Sequence, residues 1–141
     1  MFDVIVVGAD GSETARRAVE AAVEIAATSG AALHVVSGYD AKSYSEAGRP
    51  AEFSHLSSEG EVDALLQTLS FIARNRGLEA QLHSGSGDPA ELIVSTAERV
   101  GADLVVVGNR GMKGVRRVLG SVPNTVAHGS PCSVLIVDTT E

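Results

Sequence analysis

The stretch VIVVGADGSETARRAVEAA, residues 4–22, carries two different periodicities back to back. Val4 to Val7 is an unbroken apolar run closed by Gly8, the pattern of a strand buried on both faces of a parallel sheet. Beyond GADGS, residues 8–12, the spacing changes. Ala15, Ala18, Val19, Ala22, Val23 and Ala26 recur at the three- and four-residue steps of one helix face. Ser12 stands where a helix wants a capping hydroxyl, and Gly30 stands where it stops. A doubly buried strand feeding an amphipathic helix is half of a strand–helix–strand crossover.

The same alternation continues to the end of the chain. AALHVVSGY (31–39) reads as a second strand, EVDALLQTLSFIARNRG (61–77) as a helix and LEAQLHSG (78–85) as a third strand. Asp88-Pro89 is a helix start, with Asp as cap and Pro at the first helical position, and Gly101 ends that helix. ADLVVVGN (102–109) is a fourth buried strand, Ser121 opens a last helix, and SVLIVD (133–138) is the fifth strand. This predicts an α/β fold across residues 1–141 as a single domain: an open five-stranded parallel sheet with helices on both faces. Residues 40–59 break the rhythm with Gly48, Pro50 and serines at 43, 45, 54, 57 and 58, and read either as a mobile loop or lid or as plain disorder.

Composition narrows the function. A formal charge of −7 argues against nucleic acid or an anionic membrane as partner. The apolar runs are shorter than a membrane span, and Asp3 stands where a signal peptide would be positive, so a cytoplasmic protein is expected. Cys132 is the single cysteine, which excludes an internal disulfide; before SVLIV it reads as a small hydrophobe at a strand start.

Ligands of open α/β sheets sit outside the strand carboxyl ends, where strand order reverses. That rule nominates GADGS, SGYD and GNRGMKG, the segments after strands one, two and four. The last opens GNRGMKGVRRVLGSVPNTV, residues 108–126. Gly108, Gly111 and Gly114 follow at three-residue steps, so their amides can converge on an anion. Gly120-Ser121 then starts a helix, which offers a hydroxyl and free N–H groups to a phosphate. Arg110, Lys113, Arg116 and Arg117 lie here, while no acid occurs between Asp103 and Asp138. From these residues alone the segment is either a phosphate cradle or a tight turn with a solvated helix face. It is not a G-x-x-x-x-G-K-[ST] loop, and GADGS is not the G-x-G-x-x-G of a dinucleotide fold. A receiver domain would want a lysine after strand five, where VDTTE stands.

VIVVGADGSETARRAVEAA, GDPAELIVSTAERVGADLVVVGNRGMKG and LGSVPNTVAHGSPCSVLIV together resemble the universal stress protein family along nearly the whole chain. The likeness is greatest to its nucleotide-binding branch, with signature Gly-x2-Gly-x9-Gly-[Ser/Thr]. The resemblance implies strand order 3-2-1-4-5, ATP at the strand carboxyl ends and a homodimer through the last strand, Ser133 to Val137. Gly108 and Gly111 match the first signature glycines, and Gly120 and Ser121 the last pair. Asp10 matches the acid near the nucleotide, and Val35, or else Val36, the apolar position beside adenine. If ATP binds, the Asp10 carboxylate can hold Mg²⁺ through water; the other reading is that it stabilises the GADGS turn or the helix start. Ala9, Arg110 and Val122 complete the implied site. Two departures stand out. Eight residues, not nine, separate Gly111 from Gly120, a shift of roughly 100° in a helical approach. Ala9 replaces a frequent Thr, removing a hydroxyl.

Catalytic machinery is sparse in the sequence. His34, His55, His83 and His128 are scattered, without metal-ligand spacing. His34 reads as structural and His83, at the end of strand three, as the histidine near the ligand edge. A regulatory nucleotide-binding protein is therefore expected. The alternatives are a slow ATP hydrolase or autophosphorylating protein, a cyclic AMP binder, and a dimeric interaction module that binds no nucleotide.

Overall fold

The computed structural model describes residues 1–9, 13–39, 59–109 and 121–138. Strands and helices alternate through them: β1 (Val4–Gly8), α1 (Glu13–Ser29), β2 (Ala32–Tyr39), α2 (Glu59–Arg74), β3 (Gln81–Ser86), α3 (Pro89–Val100), β4 (Leu104–Gly108), α4 (Ser121–Gly129) and β5 (Ser133–Val137). Residues 40–58, most of the segment expected to be a loop, lie outside the described residues; Glu59 already belongs to α2.

The five strands form one parallel sheet in the order β3-β2-β1-β4-β5. The chain builds outward from β1 to β3, then returns to lay β4 on the other side of β1. Right-handed crossovers send helices to opposite faces when the direction of building reverses. Accordingly α1 and α2 cover one face, where Ile5, Val7, Leu33, Val35, Leu104 and Val106 are buried. On the other, α3 and α4 cover Val6, Val36, Val105 and Val107. Consecutive valines pointing to opposite cores is what a doubly buried strand requires, so the apolar runs are continuous rather than alternating.

Each helix meets the sheet through the face its spacing marks. In α1, Ala18, Val19, Ala22, Val23 and Ala26 are all buried, whereas Arg16 and Glu20 are exposed and paired at 3.6 Å. That exposed pair contributes at most about 1 kcal/mol; the apolar face holds the helix. The start of α3 follows its sequence signal. The Asp88 carboxylate accepts from the Glu91 N–H at 3.0 Å, and Gly101 closes the helix at φ 69°, a left-handed position suited to glycine. Asp88→Ala is expected to lower unfolding free energy by about 1 kcal/mol in urea denaturation; an unchanged midpoint would remove the cap from the account.

Leu78 to Ala80, expected to begin the third strand, precede β3 instead. The Leu78 N–H donates to Ala73 O at 3.0 Å, so this residue closes α2 before the strand starts. At the amino edge of the sheet the Asp103 carboxylate accepts from the N–H groups of Asp3 and Val4, at 2.9 and 3.2 Å. The Asp3 bond is the main reason its pKa lies below the ordinary value. It ties the start of β1 to the start of β4.

Candidate functional site

Strand order reverses between β1 and β4, and their carboxyl ends lead to helices on opposite faces. Such a divergence leaves a crevice at the sheet edge. On β1 the Ala9 N–H still donates to Val36 O at 2.9 Å, so Ala9 is held against β2 although the strand ends at Gly8. Val7 pairs with Val106, and continuing that register puts Ala9 level with Gly108 on the neighbouring strand. Adjacent strands lie about 4.8 Å apart. β2 runs on past this edge, with Ser37, Gly38 and Tyr39 paired to Ser84, Gly85 and Ser86 of β3. On the opposite side α4 begins at an exposed Ser121, and Val122 packs half-buried against the α3–α4 core.

Of the residues expected at the site, Ala9, Val35, Gly108, Ser121 and Val122 are described; Asp10, Arg110, Gly111 and Gly120 lie outside the described residues. Ala9 is bonded to β2 and Gly108 to β5, on the two sides of the switch point. Val35 does not present its side chain there: it is wholly buried under α1 and α2, and Val36 is buried on the opposite face. Both valines weighed for the adenine contact thus pack into the cores.

Asn109 is a residue that the sequence reading passed over. It is only 2% exposed. Its N–H donates to Val137 O at 3.0 Å, and its Nδ2 donates to Asp138 Oδ1 at 3.0 Å. The signal was available once strand order is known, because Gly108 pairs with Val137 and the next residues of both strands become neighbours.

The histidines have other work. His83 is the third residue of a six-residue strand, not its end, because β3 begins at Gln81 and runs to Ser86. His83 Nε2 lies 2.9 Å from His34 Nδ1, and Arg99 Nη2 lies 3.2 Å from His83 Nδ1. Burial holds both histidine pKa values below the ordinary 6.5; Arg99 adds to this for His34, and His34 then Arg99 for His83. His83 thus stands within β3 rather than at its end, and links β2, β3 and α3. His34 is structural, as expected. His128 is exposed in the last turn of α4, and Cys132 is half-buried, with its N–H donating to Ser130 Oγ at 3.3 Å. Among the described residues there is no cluster of three metal-ligating side chains, and no helix is long and apolar enough to cross a membrane.

Residues 1–138 match the universal stress protein family. Universal stress protein YxiE of Bacillus subtilis is 32% identical, over 97% of this chain and 99% of its own. Universal stress protein MJ0531 of Methanocaldococcus jannaschii is 33% identical, over 97% of this chain and 82% of its own. A crystal structure of a universal stress protein in complex with cAMP shares 36% identity and a TM-score of 0.79, covering 99% of each chain. Strand order, edge geometry and whole-length similarity agree: the chain belongs to the universal stress protein family.

Proposed function

We propose that this protein is a regulatory adenine-nucleotide binder that holds ATP at the β1/β4 edge. The observation that carries the reading is the switch point, where the β1–β4 pairing ends at Val7 and Val106, with Ser121 opening a helix beyond β4. A helix start leaves backbone N–H groups unpaired and favours negative charge, so the Ser121 end of α4 suits a phosphate. Ala9 and Val122 offer the apolar side of the site. Gly111 and Gly120 complete it by their match to the family signature, Arg110 lies between the signature glycines, and Asp10 matches the family's acid after strand one and would hold Mg²⁺ through water. ATP would bring phosphate oxygens and an adenine ring; the chain contributes the amides, the Ser121 hydroxyl and a rigid floor.

A homodimer accompanies this reading. β5 is the end of the sheet and pairs on one side with β4, while Leu135 is 36% exposed. An edge strand of that kind offers unpaired backbone to a second copy.

Native mass spectrometry of the untreated protein is expected to show a dimer retaining an adenine nucleotide, and calorimetry to show ATP binding. Ser121→Ala should weaken ATP by about 1–2 kcal/mol, roughly five- to thirtyfold; equal affinity would take Ser121 out of the site. Retention of no nucleotide, together with no heat from ATP or cAMP, would overturn the reading. Cyclic AMP is the second candidate, favoured by the 36% identical relative crystallised with it. Competition between the two nucleotides decides which one the edge prefers.

A further inference from the structure

We propose that Asn109 and Asp138 form a positioning pair through which edge strand β5 sets the geometry of the nucleotide site, a role that rests on the nucleotide reading above. Asn109 directly follows Gly108, where β4 ends at the candidate site. An amide as buried as this one is costly unless its hydrogen bonds are made. Two of them reach the same place. The main-chain bond to Val137 adds one rung beyond the last residue of β4, and the side-chain bond to Asp138 clamps the next residue of β5.

The pair also has a chemical direction. The amide Nδ2 donates and an ionised carboxylate accepts, so the bond is charge-assisted and stronger than one between neutral groups. Asp138 is the first acid in the chain after Asp103, and its bond to Asn109 holds that carboxylate beside the end of β4. Gly108 brings no side chain to fix its own position. The neighbour that does so is Asn109, and what it grips is the terminus of β5. The end of β5 therefore cannot shift without moving the backbone next to Gly108. In this way the strand at the open edge of the sheet acts on the ligand edge without touching the ligand.

The test uses the full chain with ATP and cAMP as probes, measuring affinity by calorimetry and folding by thermal denaturation. Asn109→Asp sets two carboxylates against each other where an amide had met one, so the bond is replaced by repulsion. Affinity for whichever nucleotide the wild type binds is expected to fall at least about tenfold in a variant still folded at the assay temperature. Asp138→Asn keeps an acceptor facing the amide and is expected to stay within about threefold of wild type. The double variant Asn109→Asp/Asp138→Asn reverses donor and acceptor and is expected to recover most of the lost affinity. A folded Asn109→Asp protein that binds as wild type does would overturn the positioning role, as would a double variant no better than Asn109→Asp alone. A wild type that binds neither nucleotide would instead bring down the nucleotide reading and the pair's role with it.

Discussion

Gly8→Val is expected to destabilise the protein by about 1–3 kcal/mol and to abolish nucleotide binding by the molecules that still fold. Gly8 is the buried last residue of β1, immediately before Ala9. A Cβ at this position would run into the Ile93 side chain, overlapping its Cδ1 and lying 3.0 Å from its Cγ1. Ile93 has little room to retreat. It is 4% exposed on α3, packed among Val6, Val36, Ala97 and Val107. Valine adds two further methyl groups to the overlap, so α3 must back away from the sheet or β1 must bend at its carboxyl end. Either response displaces Ala9 from its level with Gly108.

The clash can be separated from a general loss of strand order. Gly8→Ala introduces the Cβ alone and is expected to cost about 1 kcal/mol. Ile93→Val removes the methyl group that the new Cβ meets and by itself should cost about 0.5–1.5 kcal/mol. Combined, the two changes should cost less than their sum, because the cavity left by one receives the atom added by the other. Urea denaturation of the four proteins measures the coupling. Strictly additive costs would show that Ile93 is not what forbids a side chain at Gly8.

Much of this architecture was legible because local periodicity reports burial. The Val4–Val7 and Leu104–Val107 runs, the apolar face of α1 and the Asp88 cap all stand where their patterns put them. Such patterns describe the two faces of one element; they do not say which residue of another element lies over them. That is why the sequence alone puts His83 at a strand end, near the ligand edge. Its environment depends on β2–β3 register and on Arg99 reaching across from α3. Asn109 escaped notice for the same reason, since its partner is 29 positions away and becomes adjacent only when β5 is laid beside β4. Val35 illustrates a different limit. Its place in the chain marks the strand, but a parallel strand buried on both faces turns every side chain into a core. For Asp10, Arg110, Gly111 and Gly120 the expectation remains the one the family resemblance implies.

Acidification from pH 8 to pH 5 is expected to lower unfolding free energy by about 1–3 kcal/mol through the His34–His83 link. The bonding fixes the protonation state. A guanidinium can only donate, so His83 Nδ1 must accept from Arg99 and His83 carries its proton on Nε2. That proton is donated to His34 Nδ1, leaving His34 protonated on Nε2, and both rings are neutral. A second proton on His83 Nδ1 would face the Arg99 cation, and one on His34 Nδ1 would break the bond between the rings. Arg99 is the charged group facing the pair.

The direction of the pH dependence follows from the two lowered pKa values. In the unfolded chain each histidine titrates near 6.5, whereas in the fold each holds out to lower pH. The stabilisation is complete above the unfolded value. It is lost as pH falls from there toward the folded values, where the unfolded chain binds more protons than the native one. Asp103 does not contribute in this window. Its lowered pKa makes its stabilisation persist until pH drops below the ordinary carboxylate value of 3.8. Urea midpoints measured between pH 5 and pH 8 should therefore slope upward in the wild type. The double variant His34→Gln/His83→Gln should lose most of that slope. If the variant keeps the full slope, the acid-sensitive element is elsewhere. If the slope disappears, the link that joins β2, β3 and α3 is also the first part of this fold to yield to acid.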